Sequence, residues 1–158
     1  MPTVERQSSQ EDDKDPGIDV HFDLFLDRAG IELKRAERYR IFVSLIVLDL
    51  DVTEDMSGER SGKLLQEVER LASFNARACD YVSFADDHRL CVLYPETSRQ
   101  GAEAAARRLT DLIREELSRR IGRPVEGTIP LELASFPDAA GAKTVPAFLD
   151  ELQQQSQN

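Results

Sequence analysis

The chain has 158 residues, of which 41% are hydrophobic and 32% are charged, so it is long enough to bury one domain-sized core. Its formal net charge of −10 argues against nucleic-acid or anionic-membrane partners, because both require a broad basic surface. No apolar run reaches the length of a bilayer span, and the acidic N-terminus is unlike a signal peptide. We expect Cys79 and Cys91 to be free thiols in a reducing, cytoplasmic setting.

The first half of the chain predicts a tail, a helix and a central strand. Residues 1–20 are polar and acidic, which predicts a disordered tail, and the predicted domain then covers 21–153, with a short polar tail at 154–158. Apolar residues at helical spacing predict a helix over 22–40. The β-branched, almost entirely apolar run 41–51 predicts a central strand that is covered on both faces.

The middle of the chain predicts a second helix and a hairpin. A polar loop is expected over 52–62, and an amphipathic helix over 64–75. The stretch 80–97, DYVSFADDHRLCVLYPET, predicts two short strands joined by a charged turn at 86–89. Because turns lie at the surface while strands hold them rigidly, this hairpin is a natural place for a functional site.

The last third predicts a long helix, two strands and a short helix. The long helix begins near Ser98 and ends at Gly122, the strands cover 125–128 and 131–136, and the last helix lies around 147–152. The complete order predicts an α+β fold with a ferredoxin-like βαββαβ core, in which helices flank a mostly antiparallel sheet.

Several strings in this order resemble a GGDEF domain, the fold of the bacterial diguanylate cyclases. The strings are RAERYR, SLIVLDLD, a GxxxG-type loop at Gly58 to Gly62, RACDYVSFADDHRLCVLYPET, AAARRL and SFPDA. The resemblance covers 22–152, almost the whole chain beyond the tail. It implies the fold of nucleotidyl cyclases and a place in cyclic di-GMP signalling.

The departures from that family imply that cyclase activity is lost. Where the family carries Gly-Gly-Asp-Glu-Phe in the hairpin turn, this chain has Asp86, Asp87, His88, Arg89 and Leu90. Two aspartates in place of the glycines would repel nucleotide phosphates, and Arg89 reverses the charge of the acidic residue. Asp49 is left as a vestigial metal aspartate, and one carboxylate is a poor site for two Mg²⁺ ions. We therefore expect no catalytic residue, no metal and no cofactor.

One ligand site of the family is retained at the level of sequence. Arg77 and Asp80 match the Arg-x-x-Asp product-inhibition motif before the hairpin, and Arg108 aligns with the family's auxiliary arginine. The resemblance implies that cyclic di-GMP binds there, with arginine on a phosphate or guanine edge and the carboxylate on guanine N–H groups. The alternative is an accidental surface pair, since Arg108 to Asp111 repeats the same spacing inside one helix.

The sequence leaves two functions open and favours the first. The chain is interpreted as a non-catalytic, regulatory cyclic di-GMP receptor, or as a nucleotide-independent scaffold for a protein partner, with a two-fold homodimer as the default assembly. A third interpretation, a residual enzyme that acts on a nucleoside triphosphate, has Asp49 as its only support. His88 with Asp86, Asp87 and Asp49 could form a metal site, but a solvated turn is the preferred interpretation.

Overall fold

The computed structural model describes residues 16–51, 58–125, 127–137 and 143–156. Within these ranges the chain forms four helices and four strands, in the order α1 (Pro16–Tyr39), β1 (Val43–Asp49), α2 (Gly58–Asn75), β2 (Tyr81–Phe84), β3 (Arg89–Pro95), α3 (Arg99–Ile121), β4 (Leu131–Phe136) and α4 (Val145–Ser156). The predicted α+β class and the βαββαβ core are confirmed. None of the helices described combines the length and apolar character needed to cross a membrane.

The strands form one antiparallel sheet in the order β2-β3-β1-β4. β1 lies in the interior of the sheet, and its first six residues are buried, as the apolar run predicts. Its register against β3 runs from Val43 opposite Pro95 to Asp49 opposite Arg89. The pairing therefore brings the end of β1 beside the turn that joins β2 to β3.

Helices cover both faces of the sheet and give it two hydrophobic cores. Because side chains alternate along a strand, Ile46 and Leu48 pack with α2 and α3, whereas Leu45 and Val47 pack with α1 and α4. Both cores meet in β1, whose leucines and isoleucine have no exposed surface. This burial explains why the sequence of β1 is almost continuously apolar.

The ends of α3 lie where the sequence predicts them. The Ser98 hydroxyl caps the helix by accepting a hydrogen bond from the Gly101 backbone N–H at 3.2 Å. Gly122 follows the last turn with φ of 81°, a left-handed conformation that glycine adopts without strain. Cys79 and Cys91 are both free thiols, as expected, and burial raises the pKa of Cys91 to about 12.

Four predicted boundaries differ from the structure. α1 begins at Pro16, inside the predicted tail, because proline is well suited to the first helical position. α4 continues to Ser156, so the predicted C-terminal tail is helical over most of its length. The GxxxG-type segment Gly58 to Gly62 opens α2 instead of forming a loop. The strand predicted at 125–128 is wrong for the residues described there, where Gly127 adopts φ of 90°. The predicted tail over 1–15 and the polar loop over 52–57 lie outside the described residues.

Candidate functional site

The Arg-x-x-Asp motif forms a closed loop between α2 and β2. α2 ends at Asn75, whose side-chain amide donates to the Leu71 carbonyl at 2.8 Å. The Arg77 backbone N–H then donates to the Asp80 carboxylate at 2.8 Å, and the Asp80 N–H donates to the Arg77 carbonyl at 3.0 Å. These reciprocal bonds fix the positions of the two motif residues relative to each other.

The Arg77 guanidinium is held by three acceptors. Its Nε and Nη2 donate to Asp80 Oδ1 at 3.2 and 3.0 Å, and Nη2 also donates to the Pro95 carbonyl at 3.0 Å and to Thr97 Oγ1 at 2.5 Å. The hydrogen bond to Asp80 is the main reason that the pKa of Arg77 is raised, and burial opposes it only partly. The Asp80 side chain is 2% exposed, whereas that of Arg77 is 53% exposed. Arg77 therefore covers Asp80 and presents a charged outer edge to solvent.

A cavity of about 410 Å³ lies beside this arginine, between α2, α3 and the hairpin strands. Arg77, Asp80 and Arg108 all line it, so the structure brings together the three residues that the sequence nominates. Its other lining residues are mostly small or apolar: Ala72, Asn75, Ala76, Val92, Tyr94, Thr97, Gly101, Ala105, Leu109 and Leu112. The small side chains on the facing helices leave the space that the cavity occupies.

The charges at the cavity favour an anionic ligand. Tyr94 is buried, which is the main reason that its pKa is raised to about 12, while the nearby Arg108 and Arg77 act to lower it. The phenol is therefore neutral at physiological pH. Among the residues described, Arg108 has no hydrogen-bond or ion-pair partner, and Arg77 uses Nε and Nη2 but not Nη1. Two guanidinium groups thus offer donors to phosphate or to a base edge.

The hairpin turn is closed by its own side chains. The Asp86 carboxylate accepts hydrogen bonds from the backbone N–H groups of His88 at 3.0 Å and Arg89 at 2.8 Å. The Arg89 guanidinium binds the other carboxylate oxygen through Nε and Nη2, both at 2.6 Å. The His88 carbonyl accepts from the Leu50 N–H at 2.6 Å, which ties the turn to the end of β1. An aspartate–arginine pair and three backbone hydrogen bonds therefore hold this turn.

Carboxylates surround His88 at the edge of the sheet. His88 Nδ1 lies 2.7 Å from Asp87 Oδ1, and Nε2 lies 3.8 Å from Asp51 Oδ1. Burial is the largest influence on the pKa of His88 and lowers it, but the hydrogen bond with Asp87 and the neighbouring carboxylates outweigh it, so the pKa is raised. Burial, followed by the charge of Asp51, raises the pKa of Asp49.

An arginine lies among the potential metal-ligating groups of this edge. Ligand atoms of two sets, Asp49 with Asp51 and His88, and Asp86 with Asp87 and His88, lie within 4.8 Å of one another. However, Arg89 stands directly opposite Asp49 in the β1–β3 register and is paired with Asp86. A guanidinium at this position opposes a second divalent cation. The solvated turn, the preferred interpretation of His88, stays a prediction.

Two groups at the cavity were not identified from the sequence. Thr97 precedes the capping residue Ser98 and has no role of its own in the sequence pattern, but its hydroxyl contacts Arg77. The Pro95 carbonyl carries no signal in the sequence, since every residue has one. Arg70 of α2 and Arg107 of α3 do not line the cavity, although both helices border it.

Comparison with known proteins places the fold. No protein-family model and no curated protein matches the chain. Among solved structures, the GGDEF domain of TpbB (YfiN) from Pseudomonas aeruginosa is 20% identical, with a TM-score of 0.59 over 85% of this chain and 80% of that one. The diguanylate cyclase SiaD of the same organism, solved with its activator SiaC, is 23% identical, with a TM-score of 0.62 over 84% of this chain and 54% of that one.

A third similar structure contains a ligand. The GGDEF domain of DgcB from Caulobacter crescentus, solved in complex with c-di-GMP, is 19% identical, with a TM-score of 0.55 over 86% of this chain and 80% of that one. At these identities the likeness establishes the fold. The chain described here therefore has the GGDEF-domain fold of the diguanylate cyclases.

Proposed function

We propose that the protein is a non-catalytic, regulatory GGDEF-like domain that binds cyclic di-GMP through Arg77, Asp80 and Arg108. The observation that carries the proposal is that these three residues, nominated from separate parts of the sequence, line one cavity of about 410 Å³. This volume lies within the range of about 300–1,000 Å³ that small-molecule sites occupy. A similarly folded domain, that of DgcB, was solved with this dinucleotide.

The chemistry of the cavity fits a cyclic dinucleotide. The ligand has two phosphates, which match the two guanidinium groups, and flat bases, which match apolar walls such as Val92 and Leu109. Asp80 is 2% exposed in this geometry. Its first contribution is therefore to hold Arg77, and a direct contact with a guanine base would require Arg77 to move aside.

The hairpin turn supports the absence of cyclase activity. The aspartate side chain of Asp86 occupies the position of the first family glycine and is bonded to the backbone of the turn. The guanidinium of Arg89 occupies the position of an acidic residue, opposite Asp49. Neither a close approach of triphosphate nor binding of two magnesium ions is favoured there. The proposal accordingly includes no cofactor.

Isothermal titration with cyclic di-GMP tests the proposal. We expect micromolar or tighter binding by the wild type and loss of binding in Arg77→Ala and Arg108→Ala. Arg107→Ala and Arg70→Ala are the matched controls, because each removes an exposed arginine from a helix that borders the cavity, α3 or α2, without altering the cavity lining. Equal loss in the controls would indicate a general charge effect. No binding by the wild type at high protein concentration would refute the receptor function.

A second titration and an assay address catalysis. With GTP and Mg²⁺ we expect neither binding nor formation of cyclic di-GMP. Product formation that disappears in Asp49→Ala would show that the turn still supports catalysis, contrary to the proposal.

A scaffold for a protein partner is the second candidate, and an exposed aromatic residue favours it. Phe74 in the last turn of α2 is 88% exposed, which is unusual for a large apolar side chain. The similarly folded SiaD was solved with a protein activator. A protein partner that is recovered with the wild type but not with Phe74→Ser, and whose binding is unaffected by cyclic di-GMP, would favour the scaffold.

Either function is proposed for the cytoplasm, where free thiols are maintained. The homodimer stays a prediction.

A further inference from the structure

The end of β3 and the residues that follow it also hold the Arg77 guanidinium. Thr97 Oγ1 accepts from Arg77 Nη2 at 2.5 Å and donates its own proton to the Pro95 carbonyl at 2.9 Å. The Pro95 carbonyl also accepts from Nη2, at 3.0 Å. A hydroxyl has one proton, so the bond to Pro95 leaves the oxygen lone pairs directed to Arg77. Nη2 carries two protons and has three acceptors, Asp80 Oδ1, the Pro95 carbonyl and Thr97 Oγ1, so one of its N–H groups is shared between two of them.

The same segment is anchored to the rest of the fold. The Thr97 carbonyl accepts from the hydroxyl of Ser44 at 2.8 Å, and Ser44 is fully buried in β1. Between Pro95 and Thr97, Glu96 adopts φ of 51°, a conformation rarely populated by residues other than glycine, and it pairs with Arg35 of α1 at 3.0 Å. Such backbone is retained only when its surroundings over-determine it. These contacts hold the backbone of Thr97 in place, and the Thr97 hydroxyl is hydrogen-bonded to Arg77.

We infer that Thr97 is a positioning residue for Arg77, which sets the direction of the guanidinium before any ligand arrives. Asp80, Thr97 and Pro95 occupy Nε and Nη2, which leaves Nη1 without a hydrogen-bond partner among the described residues of a cavity that Arg77 lines. Pre-organisation of this kind strengthens binding, because the side chain need not be ordered when the ligand binds. The expected effect on cyclic di-GMP binding rests on the proposed function. The inferred position of the Arg77 guanidinium does not depend on that function.

The position of Arg77 is tested by NMR without any ligand. Exchange of the Arg77 side-chain N–H protons with water is measured in ¹⁵N-labelled protein, with the signals assigned through Arg77→Lys. Thr97→Val removes the hydroxyl and keeps the shape, so we expect exchange to accelerate roughly 2- to 10-fold, the effect of one lost hydrogen bond. Thr97→Ser restores the hydroxyl and should return the wild-type rate.

Thr110→Val is the matched control. Its hydroxyl donates to the Ala106 carbonyl at 2.7 Å on α3, away from Arg77, so its loss should leave Arg77 exchange unchanged. Equal rates in Thr97→Val and wild type, or equal acceleration in Thr110→Val, would overturn the inference. Thermal melts verify folding, and Thr97→Ala serves as the second variant without a hydroxyl if valine disturbs the fold.

Titration with cyclic di-GMP separates this inference from the proposed function. If the wild type binds, Thr97→Val should weaken affinity roughly 2- to 10-fold while Thr97→Ser stays within about twofold. Equal affinity of the valine variant would refute a positioning role in binding. If the wild type does not bind, the receptor function fails, and the exchange rates still decide whether Thr97 positions Arg77.

Discussion

Replacing Asp86 tests whether the altered hairpin turn is a built structure. Asp86→Ala removes two hydrogen bonds to backbone N–H groups, at 3.0 and 2.8 Å, and a partly exposed pair with Arg89 at 2.6 Å. At about 1 kcal/mol for each backbone bond and somewhat less for the pair, the loss is about 2–3 kcal/mol of unfolding free energy. In a chain of this length that lowers Tm by roughly 5–10 °C.

Chemical denaturation and thermal melts measure this loss of unfolding free energy. Two further variants show whether the loss is due to the contacts of Asp86 or to any change in the turn. Asp86→Asn keeps an acceptor for the backbone but removes the charge, so it should cost only about 1 kcal/mol. Asp87→Ala is the control in the same turn, since its side chain is 91% exposed and its 2.7 Å hydrogen bond is made with the His88 ring instead of the backbone, and it should cost less than about 1 kcal/mol. If Asp86→Ala destabilises no more than Asp87→Ala, the turn is not held as described.

Three further changes have expected signs. Gly30→Ala should stabilise by about 0.5–1 kcal/mol in urea unfolding, because Gly30 lies inside α1 and an added Cβ meets nothing within 4 Å; a loss would contradict the open surface there. Gly122→Ala should instead cost about 1 kcal/mol in the same experiment, because its φ of 81° strains any side chain, and a neutral result would argue against the left-handed cap. Burial is the largest single influence on the pKa of His88 and lowers it, but the hydrogen bond with Asp87 and the neighbouring carboxylates together raise it by more. The pKa in the folded protein therefore lies above the unfolded value of 6.5. The protonated form therefore stabilises the fold below about pH 6.5, and this contribution is lost as the pH rises through the raised pKa. His88→Asn should consequently lower Tm more at about pH 5.5 than at about pH 8.5, and the reverse order would refute the sign.

The sequence predicted most of the fold because its strongest patterns are local. The apolar run of β1, the hairpin flanking a polar turn, and α3 between Ser98 and Gly122 each carry their own periodicity or capping residue. The failures lie where the local signal is weak. Gly58 to Gly62 was interpreted as a loop from its glycines, but these residues open α2. The pattern at 125–128 is that of a strand, but Gly127 adopts φ of 90°.

The candidate site could be predicted only in part. Arg77, Asp80 and Arg108 were nominated by motif spacing, and they do line one cavity. The position of the Arg77 side chain also depends on contacts with Pro95 and Thr97, which follow Arg77 by about twenty residues. A backbone carbonyl has no sequence signature, and a threonine next to a capping serine is explained locally. No pattern along the chain therefore indicated that this segment holds the arginine.

What the sequence alone determined is the α+β class, the antiparallel core around a doubly covered β1, and a hairpin whose turn carries charged side chains. These follow from periodicity and residue type, which act over a few residues. Only the tertiary structure decided that Asp86 and Arg89 close the turn as a pair, that Asp80 is buried beneath Arg77, and that two arginines meet at one cavity. The first two outcomes are contacts between side chains three residues apart, whose conformations no pattern of residue types specifies. The third depends on distances between segments, which the packing of α2 and α3 against the sheet sets.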